Sequence, residues 1–157
     1  MISLADFWMG RDVLYADELN DEIRWNAADT VAKINKALSL AAAEGVFPGI
    51  DPRTGTEVSS GWRPPAVNEH TNNSANNSKH LVALACDIRD TKERSLARWA
   101  VLNGERLKAI GILGMERPAW TPTWVHLQTV PVASGHWCYI PSQHPALVEA
   151  LPGETMA

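Results

Sequence analysis

The chain has 157 residues, 45% of them hydrophobic and 20% charged, the proportions of one ordinary domain with a core of its own. We read residues 1–157 as that single domain. A net charge of −4 argues against nucleic acid as the main partner, and no run approaches the roughly 20 apolar residues of a membrane helix.

The N-terminus, Met1-Ile2-Ser3-Leu4-Ala5-Asp6, lacks a basic start and the roughly 7–15-residue apolar stretch of a secretory signal. It predicts synthesis in a cytoplasm, with any export needing another route; the chain is expected to be a monomer. The segment Trp8-Met9-Gly10-Arg11-Asp12 is expected to wrap the core, with structural roles for Arg11 and Asp12. A helix is predicted over residues 22–44, because Ile23, Ala27, Val31, Ile34, Leu38 and Ala41 recur at three- and four-residue steps. Asn20 or Asp21 can cap its start and Gly45 its end.

Residues 48–55, rich in Pro, Gly and Asp, read as a loop. A short strand follows over 58–62. Arg63 comes next, before two prolines expected to hold the chain extended. Residues 68–79 are polar and Asn-rich, a loop by composition; His70 within it reads as solvated. Leu84-Ala85-Cys86-Asp87-Ile88 has the short apolar character of a buried strand. Helices are expected over 92–102, with Leu96 and Trp99 inward, and over 105–110. Gly111 and Gly114 loosen the chain, and Glu116 precedes Pro118. Strands are read at 124–128 and 137–140, and a final helix over 145–151. Cys86 and Cys138 read as free thiols, and most of the seven Trp as core.

The elements add up to an α+β domain: a small, mostly antiparallel sheet with helices packed on one side. Within it, His80, Asp87 and His126 form a candidate metal site. Two His and one Asp with one open position match the ligand count of a catalytic zinc centre. Spacing restricts how they meet. Donors on one zinc lie within roughly 3–3.5 Å of each other, since each is about 2 Å from the metal. Seven residues of continuous helix rise about 10 Å, and seven of strand span about 23 Å. His80 and Asp87 must therefore sit on different elements with a turn between. An Asp inside an apolar strand is costly unless paired or metal-bound; a buried Asp holding a backbone turn is the competing reading.

The segment Ser78-x-His80-x-x-Ala83-x-Ala85-x-Asp87 resembles the Ser-x-His-x-x-Gly-x-Ala-x-Asp signature of the M15 family of zinc D-alanyl-D-alanine peptidases. Ser60-Gly61-Trp62-Arg63-Pro64-Pro65, followed by Asn68, is similar to that family's Ser-Gly-Tyr-Arg segment. Trp124-Val125-His126 is similar to its aromatic-x-His segment. The three motifs stand in family order across residues 58–128. Ala83 replaces the usual Gly, and Thr123 stands where many members carry the acidic base.

The resemblance implies Zn2+ on His80, Asp87 and His126, and a zinc-dependent peptidase cutting bacterial peptidoglycan stem peptides. The lean is towards a phage endolysin-like enzyme acting in the periplasm or cell wall. It also marks Ser78, Asn68 and Trp124 as substrate-binding positions. Arg63 is assigned to the substrate carboxylate or a developing oxyanion. With Thr123 unable to act as a base, Glu116 is the expected replacement, with Glu69 and Asp90 as competitors; Pro118 and Pro122 are expected to bend it back to the metal. The rival class is a catalytically impaired, zinc-containing wall-binding or virion module.

Overall fold

The computed structural model describes residues 1–71 and 74–140. The helix expected over 145–151 lies outside the described residues. The remainder is an α+β domain built on a five-stranded sheet in the order β1-β2-β4-β3-β5. The strands are β1 (Val58–Ser60), β2 (Ala85–Arg89), β3 (Gly114–Glu116), β4 (Trp124–Gln128) and β5 (Cys138–Tyr139). Every pairing is antiparallel except that of β3 with β5.

The long helix α3 (Asp21–Ala43) starts and stops where its caps dictate. Asn20 accepts from the backbone N–H of Ile23 at 2.9 Å, satisfying one orphan donor of the first turn. Gly45, at φ +77°, turns the chain away at the other end. All six residues of the predicted stripe are buried, together with Thr30 and Ala37. Ahead of it, α1 (Leu4–Trp8) begins with a capping box between Ser3 and Asp6. Its Phe7 and Trp8 are buried, and Trp8 meets Trp62 edge-on with ring centroids 5.8 Å apart. The short α2 (Arg11–Leu14) follows. The N-terminal segment thus packs on the core as expected.

Alternation divides the sheet into two faces. Cys86, Ile88, Met115, Val125 and Leu127 point to one side, in the same core cluster as α3 and the inner residues of α5 (Ser95–Leu102) and α6 (Gly104–Ala109). Asp87, His126 and Gln128 point to the other. Glu116 joins them, because Met115 pairs with Leu127 and the next residue falls beside His126.

Three expectations need correction. Residues 64–69 are not held extended. Pro64 is extended but Pro65 opens α4 (Pro65–Glu69), since proline's fixed φ suits the first helical position and its missing N–H costs nothing there. Gly114 to Glu116 is a strand, not a loosened connection. The helix expected from residue 92 begins at Ser95 instead. Asp90 is the cause: its carboxylate accepts from the N–H groups of Thr91, Leu96 and Ala97 and from Arg94 Nε. Residues 91–94 are therefore spent on a turn that folds this side chain over the helix start.

Candidate metal centre

The two motif segments meet because the chain turns between them. His80 lies in a 3-10 turn (Lys79–Val82), and Ala83 reverses the chain with φ +59° before β2 begins. Asp87 then projects from β2 directly opposite His126 on β4. The turn that the seven-residue spacing demanded is supplied at Ala83. That left-handed conformation favours glycine, which gives a physical reason for the Gly of the resembling signature.

The donor atoms converge closely. His126 Nδ1 lies 2.8 Å from Asp87 Oδ1, and His80 Nε2 lies 3.3 Å from both. The two separations from His80 fall within the roughly 3–3.5 Å between donors that share a tetrahedral ion, and the His126–Asp87 pair, at 2.8 Å, sits closer, at hydrogen-bond distance. All three residues are buried, and among the described residues they are the group of His, Cys, Asp and Glu side chains placed to hold a metal. Asp87 and His126 keep a little side-chain exposure, 12% and 7%, against 1% for His80, so approach is from their side.

The surrounding contacts orient the donors. His80 Nδ1 is 2.7 Å from the carbonyl of Gly61. A carbonyl only accepts, so Nδ1 carries the proton and Nε2 presents its lone pair to the cluster. This is the usual outer contact of a ligating imidazole. Ser78 Oγ accepts from His80 N–H at 3.3 Å and from Arg63 Nη2 at 3.2 Å. Arg63 N–H donates to the His80 carbonyl at 3.1 Å. Trp62, fully buried, donates its indole N–H to Leu81 O at 3.0 Å. The Ser-Gly-Trp-Arg segment and the His80 turn are thereby clamped to each other.

Electrostatics separates the two imidazoles. Burial pushes His80 down to about 4, against the pull of Asp87. Burial also opposes charge on His126, but Glu116 and the hydrogen bond and charge of Asp87 outweigh it and raise His126 to about 9. Burial would push the Asp87 carboxyl up. The charges and hydrogen bonds of His80 and His126 overcome this and hold it well below the usual carboxylate range. Without a metal, these contacts favour the protonated form of His126, donating from Nδ1 to Asp87. Its Nε2 is buried with no hydrogen-bond partner. Metal binding at Nδ1 displaces one proton and leaves a neutral ring, so the donor set fits a divalent cation.

The other expected site residues differ in how they bear on this centre. Arg63 is half-buried and feels the charges of Asp87 and Glu116. Glu116 shares the sheet face of His126 and acts on it electrostatically; the β3–β4 pairing delivers it there, not a proline bend. Ser78 binds protein groups and positions both His80 and Arg63. Asn68 is buried, with its amide nitrogen on Ala75 O at 3.0 Å and Oδ1 without a partner, so it holds the polar loop in place. Trp124 is on the site face, two residues along β4 from His126. Asp90 is committed to the start of α5, and Glu69 is exposed on α4.

Tyr139 and Gln128 escaped sequence reasoning. Tyr139 donates to Gln128 Oε1 at 3.0 Å and hydrogen-bonds Glu116, and its ring meets His126 edge-on with centroids 6.4 Å apart. Burial, then the charges of Glu116 and Asp87, push its hydroxyl pKa well up. The signal available was their place in strands of known alternation, but β3 had to be recognised first.

No protein-family model, curated protein or solved structure matches the chain. The fold and site by themselves define an α+β domain with a buried His80-Asp87-His126 group that could hold a metal ion. Among the described residues no helix is long and apolar enough to cross a membrane.

Proposed function

We propose that the chain is a zinc-dependent peptidase acting on bacterial peptidoglycan stem peptides, in keeping with its motif resemblance to the M15 family. The observation that carries the reading is the convergence of His80 Nε2, Asp87 Oδ1 and His126 Nδ1 within 2.8–3.3 Å, with a carboxylate and an arginine beside them. Three ligands of mixed N and O type suit zinc with one coordination position left for water or substrate. When bound, zinc supplies a water of lowered pKa and polarises the scissile carbonyl.

The chain's own groups supply the rest. Glu116 stands on the ligand face as the carboxylate that takes a proton from the attacking water and returns it to the leaving amine. The hydrogen bond between the Tyr139 hydroxyl and Glu116 holds the carboxylate in direction. Arg63 places a guanidinium where negative charge develops on the substrate oxygen. Ser78 sets the angle of Arg63 and His80 together. Position 123, where many members of the M15 family carry an acid, is Thr, so the proton-transfer task falls to Glu116 on β3.

The test is digestion of purified peptidoglycan by zinc-loaded protein, with mass analysis of the released fragments. Wild type should release stem-peptide fragments. Glu116→Gln should keep its zinc and melting temperature while turnover falls by about 10²–10⁴-fold, the usual effect of losing a general base. Zinc-loaded wild type that binds the wall but releases nothing would establish the wall-binding module instead.

A further inference from the structure

Thr30 is the polar member of the buried face of α3, fully enclosed on a stripe otherwise made of Ile, Val, Leu and Ala. Its hydroxyl donates to the carbonyl of Ala83 at 2.9 Å. One turn earlier on the helix, Asn26 donates from Nδ2 to the carbonyl of Val82 at 2.9 Å. Residues four apart on a helix share a face, so the pair grips two consecutive carbonyls of one segment. That segment is the turn between His80 and Asp87. Neither Asn26 nor Thr30 belongs to the motifs that mark the metal centre.

The two carbonyls flank Ala83, whose φ of 59° and ψ of 27° are those of left-handed helical backbone. In helical backbone of either hand, neighbouring carbonyls point the same way; in extended backbone they point to opposite sides. An extended Ala83 would turn one of the two carbonyls away from α3. Alanine resists the left-handed conformation because its Cβ crowds the following carbonyl, so contacts that need this conformation select it. The next carbonyl, that of Leu84, is held from another direction. Thr129 donates to it from its backbone N–H at 2.9 Å and from Oγ1 at 3.3 Å. Thr129 directly follows β4, the strand of His126. Carbonyls 82 to 84 are thus fixed between α3 and the end of a ligand strand.

We propose that Thr30 and Asn26 are positioning residues of the metal centre. They hold the left-handed turn at Ala83, and through it the angle at which His80 meets Asp87 and His126. Removing the Thr30 hydroxyl takes this donor from the Ala83 carbonyl inside the core, which is unfavourable. The turn then relaxes, and His80 Nε2 is no longer pre-set 3.3 Å from the other two donors. Contacts beyond the ligands themselves change metal affinity by about 10–100-fold. This pair acts one step further out, through backbone, so the lower end of that range applies. The proposal rests on the metal reading of His80, Asp87 and His126 and not on peptidase activity.

The experiment measures zinc affinity of the full chain by competition with a chromophoric chelator. Melting temperature and the visible absorption of the cobalt-substituted protein are recorded alongside. Thr30→Val keeps the shape and removes the hydroxyl. It should weaken zinc about tenfold and alter the cobalt bands, which report ligand geometry. Asn26→Ala should act in the same direction but less, because its bond is exposed to solvent. Thr30→Ser restores the hydroxyl and loses a buried methyl, so it should melt below wild type yet bind zinc like wild type. Leu38→Ala, two turns further along the buried face of α3, should lower the melting temperature and leave zinc affinity unchanged. Together these variants separate positioning from stability. Wild-type zinc affinity in both Thr30→Val and Asn26→Ala, or an equal loss in Leu38→Ala, overturns the proposal alone. If Thr30→Val does not fold, Asn26→Ala, only half-buried, carries the test through zinc affinity and the cobalt bands. A wild-type chain that takes up no zinc overturns the metal reading and the proposal with it. If zinc follows the expected pattern but peptidoglycan is never cut, the positioning pair stands and the peptidase reading falls.

Discussion

His80 and His126 share one carboxylate yet hold their protons with opposite strength, and stability should report it. His126, at about 9 in the folded chain, lies above the ordinary imidazole value of about 6.5. Its contribution is complete below that value and is lost as pH rises towards 9. His80, at about 4, lies below it. The unfolded chain protonates this residue first as pH falls, so stability is lost between about 6.5 and 4. Metal-free protein should therefore melt at its highest temperature near pH 6.5, with a fall on both sides. Bound zinc keeps both rings neutral and should flatten the alkaline side. Melting in the presence of a chelator across pH 4 to 10, repeated with His126→Asn, checks this; an unchanged melting temperature between pH 6.5 and 9 would contradict the assignment. Ala83 illustrates how a residue departs from a motif at small cost. Its left-handed φ costs about 1–2 kcal/mol, but glycine would forfeit about 0.5–1 kcal/mol in chain entropy and about 0.8 kcal/mol for a buried methyl. The terms nearly cancel, so the conformation that turns His80 towards Asp87 survives without glycine.

At the scale of elements, the site depends on how three segments abut. Gly61 is the tightest point: a Cβ there would meet the Phe7 carbonyl oxygen at 1.9 Å and its carbon at 2.7 Å. Gly61 also gives its carbonyl to His80. Gly61→Ala must push β1 and α1 apart, and overpacking of this kind costs about 1–3 kcal/mol. It should lower the melting temperature and weaken zinc binding together, measured by thermal denaturation and zinc titration. A lowered melting temperature with unaltered zinc affinity would show that the carbonyl does not position His80. The elements most legible in the sequence were α3, from its apolar period and caps, and β4, whose bounds Trp124–Gln128 match the predicted strand. The elements missed had physical reasons. β3 is three residues long and opens on a glycine, too short for a period to show. α4 begins with a proline that reads equally as an extended residue. The start of α5 is set by Asp90, a contact across six and seven residues that local patterning does not reveal.

For the whole molecule, the sheet acts as a partition. One face packs Cys86, Ile88, Val125 and Leu127 against the helices, and the other presents Asp87, His126 and Glu116. Alternation along two strands was enough to place Asp87 and His126 on one face once their pairing was known. The sequence carried the candidate His80-Asp87-His126 group through its motifs, and the chain turn between His80 and Asp87 through simple distance. It could not carry the β3–β4 register, which brings Glu116 beside His126, or the contact of Arg11 with the Trp62 carbonyl. Both depend on pairings between segments far apart in the chain. The account stands on one centre assembled from β2, β4 and the 3-10 turn. The most direct measurement is the zinc content of purified protein and its single-ligand variants, by elemental analysis after dialysis. The account predicts about one zinc per chain, with most of it lost in each of His80→Ala, Asp87→Ala and His126→Ala while the folded fraction is retained. Full zinc retention in both histidine variants would contradict it.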